Sequence, residues 1–223
     1  TLLEGQKGMH ELAIVGEPLP PFDVFCPMMS LPAVFNTTLQ TIPADVPYLK
    51  PDPTRVEQWR ERIAQEPASL KVGLCWAGNA GLKEDAKRSM DLSRLAPLAS
   101  VPGVRFYSLQ KGEAAKQSAP PAMELVDWTA ELTDFADTAA LIQNLDLVIS
   151  VDTAVAHLAG AMARPVWVLH RFSPDWRWFL DRPDSPWYPT MRLFRQPKMD
   201  DWETPVREMT DELAKLVPVS HHG

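Results

Sequence analysis

Cysteine is scarce in this chain: Cys26 and Cys75 are the only two among 223 residues, and no CxxC spacing occurs. A disulfide scaffold is thereby excluded, and two buried thiols in a reducing, cytoplasmic setting are expected. Long apolar runs are missing too. None approaches the roughly 20 residues that a membrane-spanning helix needs, so no span is expected. Positive charge is in deficit: the formal net charge is −7. A general nucleic-acid binder would want a basic field, so no nucleic-acid partner is expected. The start, Thr1-Leu-Leu-Glu-Gly5, has no basic leader and no initiator Met. That points to a chain cut from something longer, with no signal peptide. The terminal His221-His222 pair fits a tag remnant as well as a natural end and supports no reading.

Several catalytic signatures are also missing. The histidines are scattered, with no HExxH and no DxD-like acidic cluster, so no metal is expected. There is no GxSxG elbow, no Walker loop and no GxGxxG fingerprint, which leaves a dehydrogenase or epimerase weakly supported.

Proline, by contrast, is abundant, with 22 residues. The prolines cluster in Pro18–Pro53 and Pro174–Pro197, where ordered loops are expected instead of long helices. The 45% apolar share is that of a globular protein with a full core.

The organising stretch is Leu145-Asp-Leu-Val-Ile-Ser-Val-Asp-Thr-Ala-Val-Ala-His-Leu-Ala-Gly160. Leu147 to Val151 is apolar and β-branched and reads as a buried strand. Asp152 reads as an N-cap, and Thr153 to Met162 as the helix it starts. A strand feeding directly into a helix leaves free N–H groups at a positive helix end, which suits phosphate. Thr153 and His157, four apart, share a helix face. The plainer alternative is a simple strand–helix joint with a packed histidine.

Before this stretch, His10 to Val15 and Phe22 to Cys26 read as short strands and Ser30 to Phe35 as a short helix. Residues 1–50 read as the remnant of a domain whose beginning is absent. Residues 51–69 read as a linker and a helix, capped by Asp52 or Thr54. From 70 to 217 the expected strands are Leu70–Trp76, Val104–Leu109, Leu125–Trp128, Leu147–Val151, Val166–His170 and Met191–Phe194. The expected helices there are Leu92–Ser100, Asp134–Asn144, Thr153–Met162 and Trp202–Leu216. That alternation predicts an α/β fold, a Rossmann-like parallel sheet with helices on both faces. Ligands in such sheets bind outside the carboxyl ends of the strands. Four segments fall at that edge: the 77–89 loop, Gln110-Lys111, the 152–157 turn and the 170–188 loop. Lys83, Lys87 and Arg88 in the first can face a diphosphate, Arg88 with a fork matched to phosphate oxygens. Asp152 is in tension with that role, because its carboxylate would repel phosphate and compete for the same donors. Trp176, Trp178, Trp187 and Tyr188 can stack a ring, or form core and a packing surface.

Taken together, Val72–Asn79, Arg88-Ser89, Phe106–Gln110, Asp127–Leu132, Ile149–His157 and Pro174–Trp178 resemble the C-terminal half of family-nine glycosyltransferases. These are the bacterial ADP-heptose–lipopolysaccharide heptosyltransferase-like proteins, and the closest likeness is to the form behind tetratricopeptide repeats. The resemblance implies a GT-B architecture, with 70–217 as its nucleotide-sugar-binding domain. It further implies metal-independent, inverting sugar transfer from a nucleotide-diphosphate donor to a glycan, lipid or protein acceptor. The implied location is the cytoplasm or the inner-membrane periphery. Carried over by residue, Asp152, Thr153, Ala154, His157 and Arg88 hold the donor diphosphate. Asn79, Gln110, Asp127 and Trp128 border the nucleoside or sugar. Ala154 stands where heptosyltransferases often have Gly. The family's general base belongs to the N-terminal half, and nothing in 1–50 matches it. A catalytically inactive binding or scaffold module of a repeat protein is the alternative.

Overall fold

Six short strands position everything else in the computed structural model, which describes residues 2–4, 6, 8–66 and 68–218. They are β1 (Leu70–Cys75), β2 (Val104–Ser108), β3 (Leu125–Val126), β4 (Leu147–Val151), β5 (Val166–His170) and β6 (Met191–Arg195). Their order across the sheet is β3-β2-β1-β4-β5-β6, and all five pairings are parallel. The chain winds outward in one direction to β3 and then, from β4, in the other. A crevice therefore opens beyond the carboxyl ends of β1 and β4, where the order reverses.

The helices are α1 (Leu31–Val34), α2 (Pro53–Ile63), α3 (Phe135–Gln143), α4 (Ala154–Ala161) and α5 (Glu203–Leu216). Every residue of β4 and β5 is buried, as the unbroken apolar runs require of strands covered on both faces. Alternate side chains feed two cores. Leu147, Ile149 and Val151 join Leu92, Leu95, Leu98, Val206, Met209 and Leu213 on the α5 side. Val148, Val166 and Val168 join Leu141, Ile142, Ala156, Ala159, Trp59 and Ile63 on the side of α2, α3 and α4.

Caps fix two of the helix starts. Asp52 accepts from the N–H groups of Thr54 and Arg55, with Pro53 at the first helical position. Asp134 accepts from Ala136 and Asp137 in the same way.

Three expected elements differ. Leu92–Ser100 is a 3-10 run, because Pro97 inside it has no N–H to give and its ring crowds the preceding turn. His10–Val15 and Phe22–Cys26 form no strands. Their apolar side chains stand exposed, Val15 at 102% and Val24 at 87%, and an extended segment without a paired neighbour has no ladder to join. Among the described residues of this first stretch, Tyr48 and Leu49 are bonded to the sheet domain. Both N–H groups donate to Ala161 O at the end of α4, at 3.0 and 3.2 Å. No described helix is long and apolar enough to cross a membrane. His221 and His222 lie outside the described residues.

Candidate functional site

The turn from β4 into α4 differs from expectation by one residue. Thr153, with φ −139° and ψ 170°, is the N-cap, and the helix begins at Ala154. Asp152 does not cap because its carboxylate is held elsewhere. Trp178 Nε1 donates to Asp152 Oδ2 at 3.0 Å, and His157 Nε2 lies 3.7 Å from Oδ1. The Thr153 hydroxyl does not cap either. It sits 3.0 Å from Ser150 Oγ and 3.7 Å from Cys75 Sγ. The first-turn N–H groups of α4 are thus left without a side-chain acceptor.

Those groups face a cleft of about 1260 Å³ lined by Thr153, Ala154 and Val155. It lies at the switch point between β1 and β4. Its other walls are the loop after β1, the segment after β2 and the entry to α3, with Trp202 at its rim. The space exceeds the roughly 300–1,000 Å³ of common ligand pockets and accommodates a nucleotide carrying a sugar.

The loop after β1 is built around a buried carboxylate. Asp85 accepts from Arg88 Nε at 2.9 Å on one oxygen and from Ser89 Oγ at 2.8 Å on the other. Ser89 Oγ in turn accepts from Gly78 N at 2.9 Å. Residue 78 must be glycine, since a Cβ there would stand 2.1 Å from Asp85 Oδ1 and 2.8 Å from Arg88 Nη2. Arg88 is oriented through Nε, and among the described residues its two Nη groups have no protein acceptor. It lines the cleft that the α4 turn also lines. Lys83 and Lys87 are exposed and do not line it, and Lys87 is paired to Glu84 at 2.7 Å.

Gln110 also lines the cleft, yet its amide is fully occupied by backbone. Its Oε1 accepts from Trp76 N and Ala77 N, at 2.9 and 2.8 Å. Its Nε2 donates to Ala77 O and Lys111 O, at 3.0 and 2.9 Å. Gln110 therefore shapes the wall. Lys111 is tethered likewise, its Nζ donating to Thr129 O at 2.6 Å and Leu132 O at 3.0 Å. Asn79 lines the opening and accepts from Gly81 N.

Four of the nine expected site residues lie off the cleft. Asp152 and His157 stand behind the turn, toward β5. Asp127 accepts from Thr129 N and Oγ1 and so closes a turn. Trp128 packs between Trp59 and Tyr107, with the Arg62 guanidinium 4.3 Å above its ring. The aromatic loop also stays away from the cleft: Trp178 is core, and Trp176 meets Trp187 edge to face.

Behind the turn, burial by itself would raise the Asp152 carboxyl. The nearby His157 ring, the His170 charge and the Trp178 N–H outweigh it and bring the carboxyl down to about 2. His170, the last residue of β5, is driven down to about 3 by burial and is neutral at physiological pH. His157 is stacked on Trp178 at 5.2 Å, and its Nδ1 lies 3.2 Å from the Tyr188 hydroxyl. Among the described residues no group of three His, Cys, Asp or Glu side chains is placed to hold a metal ion.

Three cleft residues carried no sequence signal strong enough to single them out. Phe135 and Leu82 are large apolar side chains about half exposed on the cleft wall, and Arg94 is a third cation lining it. Exposure of an apolar side chain is a three-dimensional property, and Phe135 read only as the first helical residue after a cap.

Residues 108–215 match the family model described as Glycosyltransferase family 9 (heptosyltransferase). That stretch is similar to the family 9 glycosyltransferases. The match begins at the end of β2 and takes in the α4 turn, while β1 and Arg88 precede it. The chain is 32% identical over 191 residues to Protein FlbA of Caulobacter vibrioides, covering 82% of this chain and 31% of that protein. It therefore spans about a third of this relative's length. Among solved structures, ADP-heptose lps heptosyltransferase II of E. coli is similar in fold, at TM-score 0.55 and 17% identity, over 81% of this chain and 57% of that one. A glycosyl transferase family 9 protein from Veillonella parvula aligns at TM-score 0.49 and 12% identity, over 76% of this chain and 53% of its own.

Proposed function

We propose that this chain is the donor-binding half of a GT-B glycosyltransferase that transfers a sugar from a nucleotide-diphosphate donor, with inversion and without a metal. The observation that carries the reading is the uncapped first turn of α4, which opens into the same cleft as Arg88. Helix N–H donors and the positive end of the helix dipole favour a doubly charged group. Arg88, pinned through Nε, presents the rest of its fork to the same space, and a charge-assisted bond there adds to the backbone donors. The family 9 match over residues 108–215 supports a nucleotide sugar as the ligand class.

In this reading the diphosphate lies against Thr153, Ala154 and Val155. The nucleoside lies along the wall made by Leu132, Thr133 and Phe135, with Phe135 as its apolar face. A glycan, lipid or protein supplies the acceptor hydroxyl. No residue of 1–50 matches the family's general base, and this reading assigns none.

Thermal-shift measurement with ADP, UDP, GDP and their sugars tests this, because a ligand that binds only the native state raises the midpoint. One of the three nucleotide series is expected to stabilise the chain. Arg88→Ala should weaken that ligand about tenfold or more, the size of a lost charge-assisted bond. Ala154→Leu should weaken it by crowding the approach to the turn. Unchanged affinity in both variants, with the fold intact, would rule the site out.

A further inference from the structure

Asp152 stands beside the first turn of α4 and has the residue type best suited to cap it. A carboxylate there would occupy the N–H groups and repel a phosphate. In the structure it does neither, because three side chains draw it to the other side. The Trp178 indole N–H donates to Oδ2 at 3.0 Å. His157 Nε2 faces Oδ1 at 3.7 Å. The His157 ring is itself held twice, by stacking on Trp178 at 5.2 Å and by the Tyr188 hydroxyl 3.2 Å from Nδ1. If the Tyr188 hydroxyl donates to Nδ1, a proton on Nε2 points at Asp152. Tyr188 reaches this position only because residue 160 is glycine: a Cβ there would lie 2.5 Å from the Tyr188 ring.

We propose that Trp178, backed by His157 and Tyr188, is a positioning residue that holds the Asp152 carboxylate off the α4 N-terminus and so keeps the Ala154 and Val155 N–H groups free for a diphosphate. This rests on the function proposed above for the ligand, but the clamp itself is a property of the unliganded chain. The aromatic segment 174–189 then acts on the donor turn from behind, without touching the ligand. The other groups facing Asp152 fit this arrangement. His170 is buried at the end of β5, neutral above about 3, and meets the Trp178 ring at a tilt, 4.7 Å between centroids. Arg195 is committed to the carbonyls of Trp178 and Arg182.

The test uses Trp178→Phe, Trp178→Phe with Asp152→Ala, and the milder Tyr188→Phe, each checked for native circular dichroism. Two readouts are taken. The first is hydrogen exchange at the Ala154 and Val155 amides without ligand. Trp178→Phe is expected to slow it about tenfold as Asp152 swings in to cap, and Asp152→Ala in that background to restore the fast rate. Tyr188→Phe should move the His157 tautomer, read from its ring nitrogen shifts, toward a mixture. The second readout is calorimetric affinity for inorganic pyrophosphate. Trp178→Phe should weaken it about fivefold, within the range of a charge at a helix terminus, and the double variant should recover to within about twofold. Exchange at Ala154 and Val155 unchanged in a folded Trp178→Phe chain, or unrescued by Asp152→Ala, would overturn the clamp. If Trp178→Phe does not fold, an unmoved His157 tautomer in Tyr188→Phe overturns it. Exchange that responds as described in a wild type binding neither pyrophosphate nor any nucleoside diphosphate would leave the clamp standing and remove the donor reading.

Discussion

Arg88 and Gly78 show how much of the candidate site is decided by single side chains. Arg88 is useful to an anion because Asp85 holds one edge of it and leaves the other open. Gly78 is the gap through which that pair fits, so Gly78→Ala should lower stability by about 1–3 kcal/mol, the usual cost of overpacking, measurable by denaturant titration. Phe135 makes a separable prediction. It is half exposed on the cleft wall, so Phe135→Ala should leave stability within about 0.5 kcal/mol. Nucleoside diphosphates should bind the variant several-fold more weakly, while pyrophosphate binds unchanged. Equal loss for both ligands would place Phe135 away from the nucleoside. Thr153, Ala154, Arg88 and the loop after β1 were legible in the sequence because backbone donors and a lone Arg in a Gly-containing loop announce themselves locally. The roles of Asp152, Asp127, Trp128 and Gln110 were not. Each depends on a partner far along the chain, such as Trp178 for Asp152 or Trp59 for Trp128, and local sequence carries no distance between them.

At the level of elements, capping and strand burial were the most readable features. Asp134 sits before Phe135 in an extended conformation and accepts two N–H bonds, as its residue type predicts. Asp134→Ala should cost about 1 kcal/mol by losing them, checked by the shift in denaturation midpoint. The six strands of the sheet were found from apolar, β-branched runs, since strands covered on both faces must be apolar throughout. Three elements misled, the helix and the two strands for opposite reasons. Leu92–Ser100 has the apolar spacing of a helix, but Pro97 interrupts the backbone pattern that spacing cannot report. His10–Val15 and Phe22–Cys26 have strand composition, but a strand requires a neighbour, and pairing is not written in one segment. The α4 turn differs more instructively: Asp152 reads as the cap, yet the N-cap position falls to Thr153 and the fold uses neither side chain. Local preference is overridden where a ligand would need the backbone donors.

On the scale of the whole molecule, the sheet order places five of the expected site residues around one crevice and buries a titrating group behind it. His170 fixes a pH dependence of stability. Its value falls from about 6.5 to about 3 on folding, because burial disfavours the charged ring. Between those values the unfolded chain binds a proton that the folded chain refuses, so stability rises with pH there and is lost as pH falls. The slope should reach about 1.4 kcal/mol per pH unit for one proton, and His170→Leu should flatten it. Asp152 adds to the same trend below its ordinary value, since its folded carboxyl stays ionised down to about 2. The chain spans about a third of FlbA and just over half of the E. coli heptosyltransferase II chain.

The central claim is that backbone donors at the start of α4, facing Arg88, hold a diphosphate. Titration of the isotope-labelled chain with nucleoside diphosphates, followed at the Ala154 and Val155 amides, tests it most directly. Saturable shifts at both amides, lost in Arg88→Ala, are the predicted result. Saturable binding that leaves those two amides unmoved, or no binding by any nucleoside diphosphate, would contradict it.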